Sequence, residues 1–485
     1  MRILCICFAA FASAISIANG QTLMTLEDAI AAANSNNHQL KTAKAYASEK
    51  DYLALARKGL YMPKVGLSGS VARIPNDISL DLSPIKNTIT PLYSTLGNYG
   101  NFSGLQHPDF GILPDAQSTQ AVRTELIDGL AQIEATDWNT VLQKKNFGSL
   151  AINAQWTLYA GGKIRAANNI AKLQAEEGKE AYSQKKDEIF VNVIERYYAL
   201  ELAAHAENLR AEADNAMAKH LANAEKMYVE GLIAKQDLLR LRMAKSETKR
   251  ELSKATSDKR LAATALKNLI DPDLDNDIIT VSPLFVPDSV KDEEYYIDLA
   301  LSNNGISRII DLKEKQSLQN IKLERADLLP SVAAMVSYDI YSYNLSRLEP
   351  DWMVGIGMKW TLFEGGARSN KLNAAKQKNI QVREMAADAE LGIATLAQKL
   401  YGELIAAIEQ VYQLEDTEKF ANEYVRAIEI AYENEFTGAA ELADARLALA
   451  RSGVAKYQAM YKANLALAQL LHLCSDTGSY YTYRR

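Results

Sequence analysis

Four stretches of the chain alternate apolar and polar residues with a period of two. The clearest runs through Trp352, Val354, Ile356, Met358, Trp360 and Leu362, with Gly355, Gly357, Lys359 and Thr361 between them. A second runs through Leu150, Ile152, Ala154, Trp156 and Leu158, with Ala151, Asn153, Gln155 and Thr157 on the other side. Two more open just after prolines. Past Pro330, Val332, Ala334, Val336, Tyr338 and Ile340 alternate with Ala333, Met335, Ser337 and Asp339. Past Pro63, Val65, Leu67 and Val71 keep the same parity. A period of two is that of a strand with one apolar and one polar face. The predicted strands cover residues 64–74, 148–159, 331–343 and 351–363. Each has about ten residues, the length of a tilted membrane-spanning strand. The rest of the chain reads as helix and supplies no second sheet to cover an apolar face. Strands facing lipid therefore fit better than a soluble, half-buried sheet.

The helical stretches have a length relation of their own. Residues 163–228 and 366–432 are Ala-rich and free of proline. Each would run about 100 Å at about 1.5 Å per residue. Residues 25–60, 237–270, 292–328 and 438–473 are each close to half that length, so two laid end to end match one long helix. Ile189, Val193, Tyr197 and Leu200 recur at spacings of three and four, and Leu442 and Leu449 lie seven apart. Such spacing suits long helices packed side by side.

The pattern occurs twice. Trp156-Thr157-Leu158 returns as Trp360-Thr361-Leu362, Gly161-Gly162 as Gly365-Gly366, Tyr228 as Tyr432 and Asp237-Leu238 as Glu441-Leu442, all at an offset of 204 residues. Upstream, Ile30 returns as Ile297, Ser35-Asn36-Asn37 as Ser302-Asn303-Asn304, and Pro63 as Pro330, at an offset of 267. The chain is thus two copies of one unit, the first carrying 63 extra residues (267 less 204) between its two strands. The predicted layout is a leader at 1–20, a first repeat at 21–270, a linker or small extra element at 271–291 interrupted by Pro272, Pro283 and Pro287, a second repeat at 292–474, and a tail at 475–485. The insertion at 75–146, rich in Asn, Ser, Gly, Pro and Tyr, reads as a polar loop facing the cell exterior.

Composition narrows the function. Arg2, an apolar stretch to residue 18, and small residues at Ala18 and Gly20 form a secretory leader, with the mature chain beginning near Gln21. Cys5 and Cys7 fall inside it, which leaves Cys474 alone and allows no intrachain disulfide. No later apolar run reads as a spanning helix. A net charge of −6 with scattered Lys and Arg gives no sign of a nucleic-acid partner. His38, His107, His205, His220 and His472 show no metal-ligand spacing, and no nucleotide-binding fingerprint is present. No enzyme activity, cofactor or metal is therefore expected. Four strands cannot close a barrel, and an open sheet edge in lipid costs several kcal/mol per unpaired group. Other copies must complete it: two give eight strands and a filled interior, three give twelve and a lumen. The sequence does not decide between them, although a duct favours three.

In these features the chain resembles the TolC family of outer-membrane efflux proteins. Leu26-Glu27-Asp28-Ala29, Leu60-Tyr61-Met62-Pro63, Leu328-Leu329-Pro330, the Trp-Thr-Leu strands with their Gly-Gly pairs, and the segments running from Tyr228 and Tyr432 to an acid carry the likeness over essentially the whole mature chain. The resemblance implies a mainly α fold with a membrane β-barrel: a homotrimer with four strands per chain in a twelve-stranded outer-membrane barrel and a long α-helical tunnel in the periplasm. It also implies two partners, a periplasmic adaptor and an inner-membrane transporter, which supplies the energy. The duct would serve a tripartite efflux pump or type I secretion and be gated at its periplasmic end.

Glu441 and Asp444, three apart on one helical face, would form two carboxylate rings at that end, favouring cations. The family has acids at the matching positions. The plainer reading makes Asp237, Glu441 and Asp444 helix-start acids favoured by the dipole. Tyr228 and Tyr432 flank the same turns. Gly231 and Gly438 are able to take the left-handed conformations a tight turn needs, but Gly231 aligns with Glu435 rather than with Gly438, so the two turns are free to differ in shape. Thr437 stands where a basic residue can tether a closed entrance in this family. Asn153, Gln155, Thr157, Lys359 and Thr361 are expected to face the barrel lumen, and Trp156, Trp352 and Trp360 the lipid or a neighbouring chain. Two rivals remain, a periplasmic adaptor and a coiled-coil surface protein. An adaptor normally has one helical hairpin between β domains, and an adhesin would not explain the duplication.

Overall fold

The computed structural model describes residues 21–485 apart from Phe110, Pro114, Asp115, Asp275, Arg347, Glu435 and Arg485. The expected leader, and the alignment of Gly231 with Glu435, fall outside the described residues. The first half begins with β1 (Gln21–Met24), α1 (Leu26–Asn36), α2 (His38–Lys58) and β2 (Lys64–Arg73). The insertion contributes β3 (Ile78–Asp81), α3 (Ser83–Tyr99), β4 (Gln106–His107), β5 (Gly111–Ile112), α4 (Ala116–Ala135) and β6 (Asn139–Gln143). Then come β7 (Asn146–Ala160), α5 (Lys163–Val229), α6 (Lys235–Ile270) and β8 (Asp277–Thr280). The second half holds α7 (Glu293–Asn303), α8 (Gly305–Ala326), β9 (Ser331–Tyr343), β10 (Trp352–Lys359), α9 (Ala367–Glu433) and α10 (Ala439–Leu473). A 3-10 turn, Thr477–Tyr483, follows. The chain forms two compact units.

The helical unit takes residues up to Arg57, Arg165–Glu324 and Gly366–Arg485. The sequence predicts single helices over 25–60 and 292–328; each is broken once, at Asn37 and Asn304. These two residues stand 267 apart and do the same work. The Asn37 carboxamide oxygen accepts from the Gln39 and Leu40 amides, capping α2, and its Nδ2 donates to the Leu269 carbonyl at 2.9 Å. The Asn304 oxygen accepts from Ile306 and Ser307, and its Nδ2 donates to the Leu473 carbonyl at 2.8 Å. A buried carboxamide has the donor and acceptor needed to end one helix, start the next and tie the joint to a third. The helix starts are matched as well. Thr25 and Asp292 each accept a backbone N–H as N-caps.

A core of aromatic and aliphatic side chains includes Tyr197, Tyr198, Phe285, Tyr296, Tyr480 and Leu467. The stretch 271–291 is more than a linker, since β8 pairs in parallel with β1. The tail is packed too: Tyr480 is 1% exposed, and the Tyr296 and Tyr483 hydroxyls lie 2.9 Å apart. Cys474 is buried, its Sγ 3.6 Å from the Tyr296 carbonyl oxygen, and burial pushes its thiol up to about 12. Tyr197 pins β1 and β8 to α5. Its hydroxyl donates to the Met24 carbonyl at 2.8 Å and accepts from the Val281 and Ser282 amides. Tyr197→Phe orphans the Ser282 amide, while the Val281 amide keeps its bond to the Met24 carbonyl at 3.1 Å; the loss is expected to cost about 2 kcal/mol. A lower denaturation midpoint would register this; an unchanged midpoint would mean water replaces the phenol. Helix α9 contains a window with a mean hydropathy of 1.2, apolar enough by composition to cross a membrane, which the sequence reading did not credit. Within α9, Ala397, Leu400, Leu404 and Ala407 join the buried core together with Ala463 and Leu467 of α10.

The second unit takes Lys58–Ile164 and Arg325–Gly365. Its main sheet runs β10-β9-β7-β2, with every pair antiparallel. Neither β2 nor β10 has a second strand partner among the described residues. Two register shifts modify the predicted alternation. Leu150 pairs with Tyr341 and Ala151 with Asp339, so Tyr341, rather than Ile340, continues the apolar face. Thr157 pairs with Ala333 and Tyr159 with Val332, so Tyr159 takes the place expected of Leu158. Bulges of this kind displace one residue and increase twist. Strand β10 ends at Lys359, short of the predicted 363, which leaves Thr361 outside the sheet. The insertion is not a plain polar loop: it holds α3 and α4 packed together, with the β3–β6 and β4–β5 pairs. Pro84 and Pro91 hid α3 from a reading by breakers. Pro84 sits at the tolerated first turn, and Pro91 lies inside the helix.

Candidate functional site

The sheet has two unlike faces. On one, Asn153 Nδ2 donates to Ser68 Oγ at 2.6 Å, and Ser337 Oγ donates to Asn153 Oδ1 at 3.0 Å. A hydrogen-bonded row thus crosses β2, β7 and β9. Gln155 and Thr157 share its face by the strand period, and Lys359 joins through its pairing with Ser331. Thr361, expected in the same set, lies past the end of β10. The other face is apolar and open: Val65, Val354, Ile356 and Trp352 are between 63% and 73% exposed. Monomeric soluble proteins rarely expose so continuous an apolar patch.

The tryptophans close the sheet's ends. Trp156 Nε1 donates to the Tyr61 carbonyl at 2.9 Å, and Trp360 Nε1 to the Leu328 carbonyl at 3.2 Å. Donors and acceptors here repeat at the two offsets of the duplication. Gly161 and Gly162 follow with φ of 60° and 89°. A Cβ on Gly161 would meet the Ala326 carbonyl oxygen at 2.7 Å, so this turn requires glycine on both counts.

The helix turns differ from one another. Between α5 and α6, Gly231 has φ +79°, and the Gly231 and Leu232 amides donate to the Tyr228 and Met227 carbonyls. That is the ordinary left-handed closure of a helix. Gly438 does not repeat this: it has φ −88° and ψ 160°. It serves instead as the extended N-cap of α10, while the Phe436 amide donates to the Ala431 carbonyl at 2.8 Å to close α9.

Tyr228 and Tyr432 part company as well. Tyr228 is 40% exposed. Tyr432 packs on two clusters, one of Met217, Ala224, Leu238 and Leu241, the other of Val425, Ile428 and Leu442. It therefore bridges the α5–α6 and α9–α10 pairs. Its phenol oxygen is buried without a hydrogen-bond partner among the described residues. Burial raises its pKa, and the charge of Asp237 adds to the rise. Asp237 thus acts on Tyr432 only through its charge, with no hydrogen bond between them among the described residues. Asp237 lies in the first turn of α6, behind an Ala234 N-cap without a side-chain bond. Glu441 has the same place in α10 and accepts from the Thr437 hydroxyl. Asp444 is exposed one turn on.

A duplicated ion pair completes the site and was missed in the sequence. Arg242 donates to Glu225 at 3.0 Å, and Arg446 to Glu429, 204 residues later. The second pair is more buried, at 27% and 28% exposure against 56% and 47%. His220 joins it, with Nε2 3.6 Å from a Glu429 carboxylate oxygen and its ring edge-on to Tyr432 at 6.3 Å. Burial lowers the His220 pKa and Arg446 adds to this, while Glu429 opposes. Applying the offset to charged residues as well as landmarks would have found this cluster.

Comparison with known proteins fits these features. The model of a family described as outer membrane efflux protein matches residues 127–270 and 297–474. No curated protein sequence matches the chain. Among solved structures, the outer membrane protein VceC of Vibrio cholerae is similar, with 15% identity, a TM-score of 0.67, and coverage of 93% of this chain and 95% of that one. The CmeC outer membrane channel of Campylobacter jejuni is 14% identical with a TM-score of 0.67, covering 93% and 86%. The open state of the MtrE outer membrane channel of Neisseria gonorrhoeae is 14% identical with a TM-score of 0.68, covering 93% and 89%. At these identities the likeness establishes the fold.

Proposed function

Since this chain belongs to the outer membrane efflux protein family, we propose that it acts as a homotrimeric exit duct across the outer membrane, gated at its periplasmic end. The observation that carries the reading is the sheet. One face is a polar row, the other is open and apolar, and both edges lack partners among the described residues. In lipid, such edges must be paired by further copies. Three copies give twelve strands and leave room for a lumen lined by Asn153, Gln155, Thr157 and Lys359. A periplasmic adaptor and an inner-membrane transporter are the partners proposed for such a duct, the transporter supplying the energy. Its role is transport within a tripartite efflux pump or type I secretion system, not catalysis. An adaptor or coiled-coil surface protein would have no use for the open apolar sheet.

The aperture belongs to the helix turns. Glu441 and Asp444 present carboxylates that become stacked rings in a threefold assembly, with Asp237 at the neighbouring turn and Tyr432 packing the two hairpins together through its apolar contacts. Gly231 and Gly438 shape the tips. Single-channel recording of the purified protein in a planar bilayer tests the whole reading. Small, long-lived, cation-selective steps are expected; failure of folded protein to insert would overturn it. In the same assay, Glu441→Gln combined with Asp444→Asn should weaken cation selectivity and divalent block. Unchanged reversal potentials would move the selectivity ring elsewhere.

A further inference from the structure

The insertion brings three metal-ligating groups together that no role described so far uses. His107 ends β4 and pairs with Gly111 across a tight hairpin. Asp109 lies at its tip, and Glu125 comes from α4. One ligand atom from each of the three lies within 4.8 Å of the other two. His107 Nε2 is 3.2 Å from Glu125 Oε2, with the imidazole 18% exposed and the carboxylate 56%. The Asp109 amide sits 3.2 Å from His107 Nδ1 and fixes the ring.

We propose that His107, Asp109 and Glu125 bind a divalent transition-metal ion of the zinc class. Metal–ligand distances of about 2.0–2.2 Å give a tetrahedral edge of about 3.4 Å, close to the His107–Glu125 separation. An ion can therefore replace the shared proton with little movement of that pair, and only the exposed Asp109 carboxylate must close in. Binding takes the other tautomer of the neutral imidazole: the ring's single proton moves from Nε2 to Nδ1 by exchange through water, with none released overall, and Nδ1 gives up its contact with the Asp109 amide. One imidazole and two carboxylates suit zinc, cobalt or nickel, with water completing the shell. Calcium takes six or more oxygens and magnesium a near-octahedral oxygen shell, which this set does not supply. The ion clips the β4–β5 hairpin to α4. The site does not depend on the transport reading.

The test is a Co2+ titration of the chelator-stripped, detergent-purified protein, followed by visible ligand-field absorption and then by Zn2+ displacement. One Co2+ per chain is expected, released by Zn2+ and not by Ca2+. His107→Ala should weaken binding at least about tenfold. Glu125→Gln, nearly isosteric and therefore safe for the fold, should do the same. Far-UV circular dichroism confirms that both variants are folded. Absence of a saturable site in the native protein, or binding that survives both substitutions, would overturn the assignment.

Discussion

Asn304→Ala is expected to destabilise the helical unit by about 3 kcal/mol. Two losses combine. The substitution removes the cap of α8, typically worth about 1 kcal/mol. It also orphans the buried Leu473 carbonyl that Nδ2 now satisfies at 2.8 Å, which costs about 1–3 kcal/mol. Asn304 is 4% exposed, so water cannot easily take over. Asn304→Ser separates the two contributions: it keeps a capping oxygen but cannot reach the carbonyl, so roughly a third of the loss should return. Denaturant unfolding followed by far-UV circular dichroism, at fixed protein concentration because assembly shifts the midpoint, would read both. Equal midpoints for all three proteins would mean the joint is held by the surrounding core instead.

Ile356→Lys should abolish assembly in the membrane. Ile356 is 73% exposed on the apolar face of β10. A lysine on the lipid face near the bilayer midplane costs about 2–4 kcal/mol per chain, and a trimer bears that cost three times. Met353→Lys is the matched control. Met353 pairs with Ser337 on the polar face, where a charge meets water in the lumen. Detergent-extracted trimer, measured by sedimentation, should vanish for the first variant and persist for the second. The reverse ranking would invert the two faces of the sheet and with them the proposed lumen.

How far the sequence carried these conclusions can be argued from particular residues. The strands were legible because Trp352, Val354, Ile356 and Met358 follow a period of two without interruption. They became misleading where a bulge changes the period, at Ile340 and Leu158, because a pattern has no means of marking an inserted residue. The long helices were legible from the absence of proline. Their short partners were read as unbroken because asparagine is a weaker signal than proline, although Asn37 and Asn304 stood among the repeat's own landmarks. Helix α3 was lost to the opposite error, since prolines at 84 and 91 outweighed its apolar spacing. At the helix turns, Tyr228 and Tyr432 align in sequence yet only one is built into the core. Burial depends on the neighbouring hairpin, which no local pattern reports. The non-equivalence of Gly231 and Gly438 left room for turns of different shape, and glycine permits a left-handed turn but does not compel one.

Cys474 has a practical consequence. A thiol reacts as its thiolate, and this one is buried with its pKa pushed up to about 12. At neutral pH it offers almost no nucleophile and no access. In a chain that begins at the expected mature start near Gln21, and so lacks Cys5 and Cys7, a cysteine introduced anywhere on the surface would be the single site that maleimide or methanethiosulfonate reagents modify. Spin labels, fluorophores or blocking groups could then be placed along the duct in the native background, with no endogenous cysteine to remove first.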